Sequence, residues 1–186
     1  MALPAAYVVK RYSYKTGILV GLFMYAFGAL LFYPAAAMEN YTFFLLALYI
    51  LTFGLAFLET TANPFILSMG DEATATQRLN LAQAFNPMGA LMGLFVAQSF
   101  ILGALQSDDL DAQGNGIYES LSDSAKAVVK TADLEVIRNP YVALGIFVLL
   151  MMLVISFVKM PNTTQQESST SLWNSIKRIS RNERFV

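Results

Sequence analysis

Three stretches of this chain, residues 17–38, 79–106 and 139–158, contain no Asp, Glu, Lys or Arg, and a fourth, residues 41–70, has Glu59 as its only charge. As a helix, about 20 consecutive apolar residues cross the roughly 30 Å hydrocarbon core of a bilayer, and the core helix of a soluble domain needs no such run. Lipid offers a backbone no hydrogen-bond partner, so a spanning segment pairs its peptide groups within itself, as a helix does. Only 13% of the 186 residues are charged, about half the roughly 25% of an ordinary soluble domain. The sequence is that of an all-α integral membrane protein with several crossings.

The expected spans cover residues 16–37, 42–69, 79–105 and 140–158, each long enough to cross at about 1.5 Å per residue. Tyr12, Tyr14, Tyr33, Tyr41, Tyr141 and Trp173 fall near span ends or in the flanking segments, where aromatic residues form interfacial belts. The connections on alternate sides of the spans hold nine and three Lys or Arg residues. The richer side is cytoplasmic by the positive-inside rule. Lys10–Lys15 and Lys177–Arg184 are therefore expected in the cytoplasm and residues 106–139 outside. That outer loop carries seven acids beside Lys126, Lys130 and Arg138. Its first half, SDDLDAQGNG, reads as coil. In its second half Tyr118, Leu121, Ala125, Val128 and Val129 recur at near-helical spacing, which suggests a short helix on the membrane surface. Residues 161–171 are polar and disordered in composition. In residues 172–184, Leu172, Trp173, Ile176 and Ile179 alternate with basic residues, the pattern of an amphipathic helix held by anionic lipid.

Several chemistries are excluded. The chain has no Cys and no His, so it has no disulfide framework, no thiolate nucleophile and neither of the commonest metal ligands. A net charge of −1 provides no general attraction for nucleic acid. There is no nucleophile–base pair, phosphate-binding loop or metal-ligand spacing, so neither an enzyme, a metal site nor a cofactor is expected. Met1 is not followed by the basic segment of a signal peptide. Residues 2–9 are too short to cross and read as the end of a helix that begins elsewhere. Phe185-Val186 reads as the first turn of another span. The expectation is a piece of a longer protein.

Glu59 is the strongest functional signal. A charge at the bilayer centre costs at least about 2.5 kcal/mol, so intramembrane acids are seldom accidental. A low dielectric disfavours a carboxylate, and an acid held there is suited to taking up and releasing a proton. Its alternative role is a hydrogen bond that glues helices. Asn63, four residues on, shares its face, and Thr60 and Thr61 lie beside it. Pro64 removes a backbone donor and frees the carbonyl of Thr60, which fits either a cavity wall or a simple kink. In the third span Asn80, Gln83 and Asn86 recur every third residue. Gln83 and Asn86, with Phe85, offer amides and an aromatic face to a sugar; interhelical amide contacts are the rival reading. Asn80, nearer the cytoplasmic end, reads as structural. Gly89 and Gly93 form a GxxxG pair that lets helices approach closely, and Gly21 and Gly28 are read as packing positions too.

Leu58-Glu59-Thr60-Thr61-Ala62-Asn63-Pro64-Phe65, followed by Arg78-Leu79-Asn80-Leu81-Ala82-Gln83-Ala84-Phe85-Asn86, resembles the fucose–galactose–glucose/proton symporters of the major facilitator superfamily. Lys10-Arg11-Tyr12-Ser13-Tyr14-Lys15-Thr16-Gly17 with Gly21-Leu22-Phe23-Met24-Tyr25 is similar to that family's loop between its second and third helices. The resemblance covers most of residues 1–105 and is loose beyond. It implies a partial N-terminal bundle: the end of helix two and a cytoplasmic loop in residues 1–15, helices three to five in 16–105, helix six in 140–158, and part of the central cytoplasmic loop in 159–186. It implies a protonatable Glu in helix four, here Glu59, and sugar-facing polar residues in helix five, here Gln83 and Asn86. The family also uses an acid in helix one, which lies outside this chain. The partners implied are a monosaccharide, a proton, the lipid bilayer and the remaining helices of the same transporter, in a bacterial inner membrane. The alternative is a non-transporting membrane scaffold or subunit whose polar residues only pack helices.

Overall fold

A computed structural model describes residues 2–111 and 114–160 of the chain; the expected amphipathic helix over residues 172–184 lies outside them. The described residues are helical, apart from turns and one isolated bridge between Leu110 and Gly116. Eight α-helices follow in order: α1 (Ala2–Arg11), α2 (Tyr14–Leu30), α3 (Phe32–Ala37), α4 (Tyr41–Ser68), α5 (Ala75–Gln83), α6 (Phe85–Val96), α7 (Ile117–Ser120) and α8 (Asp123–Phe157). Among the described residues four helical stretches are long and apolar enough to cross a membrane: Tyr14–Ala37, Tyr41–Ser68, Glu72–Ala104 and Asp123–Phe157. Each contains most of one of the expected spans, the third starting at Glu72 and the fourth at Asp123, ahead of their charge-free runs.

Local chemistry sets the ends. Ser13 caps α2 by accepting the Thr16 N–H at 3.1 Å. Asn40 caps α4 by accepting the N–H groups of Thr42 and Phe43 at 2.9 and 3.3 Å. Such side-chain acceptors satisfy donors that a helix start leaves orphaned. Glu39, in the tight turn before Asn40, adopts a left-handed φ of 48°. Gly70, after α4, takes φ +72°, a conformation glycine adopts without steric cost.

The separate surface helix suggested by the spacing of Tyr118, Leu121, Ala125, Val128 and Val129 is not formed: α7 stops at Ser120, and residues from Asp123 onward run without a break into the fourth span. Ser122 caps α8, and Pro140 sits inside it. A proline costs a helix one donor and crowds the carbonyl four residues back, and here the helix continues through it. At 35 residues α8 is about 52 Å long. Its charge-free part suffices for the hydrocarbon core, so the turns before Arg138 project beyond it.

The core is built on α2, which packs against both α4 and α8, while α1 packs on α4 and α3 on α8 and α4. Helices without large side chains at the contact can approach until their backbones touch. A Cβ at Gly28 would lie 2.4 Å from the Leu51 nitrogen, and one at Gly54 would lie 2.4 Å from the Tyr25 nitrogen. Gly21 meets Leu58, and Gly17 meets Thr61, along the same antiparallel seam. Gly145 gives α8 its close approach to Leu30 and Ala26 of α2. Aromatic packing closes one end, with Phe32 stacked on Tyr141 at 3.9 Å between ring centroids. At the other end Tyr14 and Phe65 are in contact at 5.6 Å.

Polar ties finish both ends. Lys15 donates from Nζ to the carbonyls of Ser156 and Val158 at 2.6 and 2.8 Å. A lysine there satisfies carbonyls that end a helix without partners and meets the negative end of its dipole. On the opposite side Glu39 pairs with Lys130 Nζ at 2.8 Å and accepts from Thr131 Oγ1 at 3.0 Å. The hydrogen bond from Lys130, then that from Thr131, and the charge of Lys130 hold the Glu39 carboxyl below its ordinary range.

Candidate functional site

Glu59 lies in α4, on the side away from the seam. The buried positions of α4, Ala47, Leu51, Gly54, Phe57, Thr61 and Phe65, share the face turned to α2. At about 100° per residue Glu59 and Asn63 fall roughly opposite that face. Glu59 is exposed and Asn63 half-buried. The structure therefore brings Glu59 and Asn63 to one open face, as their four-residue spacing indicated.

The two threonines beside them are placed differently. Thr61 is fully buried against Gly17, with its hydroxyl donating to the carbonyls of Phe57 and Leu58 at 3.0 and 3.1 Å. Thr60 donates to the Ala56 carbonyl at 2.7 Å. Both hydroxyl protons are used within α4, so the open polar chemistry of this segment rests on Glu59 and Asn63. Pro64 is accommodated inside a continuous α4.

Gln83 and Asn86 flank a break. α5 ends at Gln83 and α6 begins at Phe85, with Ala84 between them. Pro87 is the cause: it has no N–H to give the Gln83 carbonyl, and its ring crowds that same carbonyl. The Asn86-Pro87 pair is visible in the sequence, and its proline is the signal for this joint. Gln83, Asn86 and Phe85 are all exposed. Among the described residues the side chains of Glu59, Asn63, Gln83 and Asn86 make no hydrogen bond, and none joins the α4 pair to the amides of the third span. A second irregularity, also unanticipated, is the π-helical turn Ala97–Ile101, which contains Gln98 and Ser99. Such turns are concentrated at functional sites.

Gly89 and Gly93 are exposed, and a Cβ at either would meet nothing within 4 Å. No described helix packs on them. The third span as a whole buries none of its residues, while α5 rests on α4 and the π turn touches α8. Arg78 pins its first turns, donating from Nη1 to the Asp71 carbonyl at 2.9 Å and from Nη2 to the Leu67 carbonyl at 3.4 Å.

The arrangement is thus an acid and three amides on open helix faces, beside a closely packed glycine seam. It has parallels among known proteins. A model of the Major Facilitator Superfamily matches residues 1–185. The L-fucose-proton symporter of Haemophilus influenzae is 52% identical over 186 residues, which are 100% of this chain and 44% of that protein. A glucose/galactose transporter of Brucella abortus is 34% identical over 171 residues, covering 92% of this chain and 37% of its own length. The crystal structure of the Escherichia coli fucose:proton symporter superposes with a TM-score of 0.81 at 36% identity, over 97% of this chain and 44% of that one. The chain spans less than half the length of the curated relatives it matches. With multiple membrane-spanning helices packed as in that crystal structure and a family match along almost the whole sequence, the chain belongs to the major facilitator superfamily.

Proposed function

We propose that the chain is part of a proton-coupled monosaccharide importer of the bacterial inner membrane. In this reading Glu59 carries the proton, and Asn63, Gln83 and Asn86 bind the sugar. The observation that carries it is the position of Glu59 and Asn63, roughly opposite the buried face of α4 that meets α2, with Glu59 exposed and Asn63 half-buried. An acid turned away from its own bundle is available to a substrate or to a second bundle, whereas a packing acid belongs in the seam. The names of the relatives, L-fucose-proton symporter and glucose/galactose transporter, supply the substrate class. Further helices of the same transporter would cover the third span, with Gly89 and Gly93 at the close approach. Alternating access in such folds comes from one bundle rocking against another around a midplane site.

The test is transport. A hybrid in which this chain replaces the matching segment of the Haemophilus influenzae symporter is reconstituted with an inward proton gradient. It is expected to accumulate fucose, galactose or glucose and to lose the accumulation when a protonophore collapses the gradient. Failure to accumulate any of the three by a correctly folded hybrid would leave the scaffold reading. The 186-residue chain alone is expected to accumulate none. Saturable uptake by it would instead indicate two copies acting as a transporter.

Orientation has its own check. Nine basic residues against three support residues 106–139 lying outside and Lys10–Lys15 and Lys177–Arg184 inside. Single cysteines replacing Ser122 and Ser175, in a chain with no other Cys, are expected to react differently with an impermeant reagent in intact cells. Labelling at position 122 alone is expected; labelling at position 175 alone would invert the topology.

A further inference from the structure

Asp133 is buried, 7% exposed, in the projecting part of α8, and the reading above gives it no task. Its two oxygens accept two successive backbone donors, Gln106 N–H at 2.8 Å and Ser107 N–H at 3.0 Å. Both donors lie just past the third span, where Leu105 has turned extended and the helical ladder has ended. Burial pushes this carboxyl up, but the hydrogen bonds from Ser107 and Gln106 outweigh burial and hold it below the ordinary range. A carboxylate on two backbone N–H groups is a strong, charge-assisted contact.

The third span otherwise has little to hold it. It buries no residue, and it is interrupted by the joint at Ala84 and by the π turn Ala97–Ile101. Between them α6 is a rod of 12 residues, about 18 Å long. Arg78 fastens the inner end of the span to the end of α4. We propose that Asp133 is the positioning residue that anchors the outer end of the third span, and so sets where α6 presents Asn86 and, across the Ala84 joint, Gln83. The proposal rests on the sugar-site reading for its functional consequence, and its geometry stands without it. A tilt of about 10° in an 18 Å rod moves its far end by about 3 Å. Misplacement of about 1 Å can already cost a hundredfold in a positioned site.

The experiment needs no sugar, so its failure is distinct from failure of the transport reading. Spin labels on cysteines replacing Leu91 and Val128, both largely exposed, report the third span against α8. Labels replacing Phe23 and Leu46, also exposed, report α2 against α4. In the 186-residue chain in lipid nanodiscs, Asp133→Ala is expected to broaden the 91–128 distance distribution at least twofold and leave the 23–46 distribution unchanged. Asp133→Asn, which keeps the volume and one acceptor, is judged the same way where the alanine variant disturbs both pairs. A 91–128 distribution as narrow as the parent's in Asp133→Ala would overturn the proposal. So would broadening of both pairs in both variants, because Asp133 would then stabilise the whole bundle and not one span.

Discussion

Glu59→Gln, in a full-length transporter carrying this segment, is expected to retain sugar binding and sugar exchange while losing proton-driven accumulation. Glutamine keeps the size of a protonated glutamate and can still donate and accept hydrogen bonds, but it has no proton to release. Downhill exchange needs the sugar site alone; uphill accumulation needs each sugar to travel with a proton. That linkage requires the sugar to bind one protonation state of the site better than the other, with one shared coupling energy for both ligands. Glu59→Ala removes the hydrogen-bonding group as well and is expected to weaken sugar binding too. The measurements are equilibrium binding, counterflow and gradient-driven uptake on the same preparation. Uphill uptake by Glu59→Gln at the parent's level would reduce Glu59 to a helix contact. The exposed position of Glu59, away from every buried residue of α4, makes that second outcome the less natural one.

The second large effect is structural. Gly54→Ala is expected to destabilise the bundle by about 3 kcal/mol or more, at or above the top of the range for overpacking a tight interior. Its Cβ would stand 2.4 Å from the nitrogen and 2.8 Å from the Cα of Tyr25. Both are backbone atoms of a packed helix, so neither can swing aside as a side chain would. α2 and α4 would have to part, and Gly17, Gly21 and Gly28 lie along the same seam. Gly89→Ala is the contrasting variant, since its Cβ meets nothing within 4 Å and alanine is favoured over glycine in a helix by about 1 kcal/mol. In the 186-residue chain it is expected to leave the unfolding midpoint unchanged or raise it. In a full-length transporter it is expected to lower the midpoint, because the proposed packing of Gly89 against further helices would then be disturbed. Thermal unfolding of each variant in the same detergent checks both expectations. A Gly54→Ala protein as stable as the parent would mean that the seam is looser than its geometry.

Some of the site was open to reading in one dimension. A single acid in a charge-free run is visible without any fold, and so is the four-residue spacing that puts Asn63 on its face. The roles of the glycines were less visible. Gly21 and Gly28 pack where the sequence suggested, but the tightest contact includes Gly54, which belongs to no recognisable motif. Conversely, Gly89 and Gly93 form the motif and touch no described helix. A GxxxG spacing states that a face is smooth; which helix approaches it depends on the partners present.

Hydrophobic patterning by itself determined the class, the number of crossings and their approximate limits, because a bilayer admits only segments that are long, apolar and internally hydrogen-bonded. It also marked Glu59, since charge is costly there. Only the tertiary structure decided that Thr61 faces α2 while Glu59 faces away, that α8 continues through Pro140 from the connection before it, and that Asp133 ties α8 to the end of the third span across 26 and 27 positions of sequence. Those are outcomes of which helix meets which. Residues 26 or 27 positions apart share no local period, and a proline can end a helix or merely pass through one. Neighbouring backbones and side chains make that choice by satisfying, or leaving unsatisfied, the groups that each helix exposes.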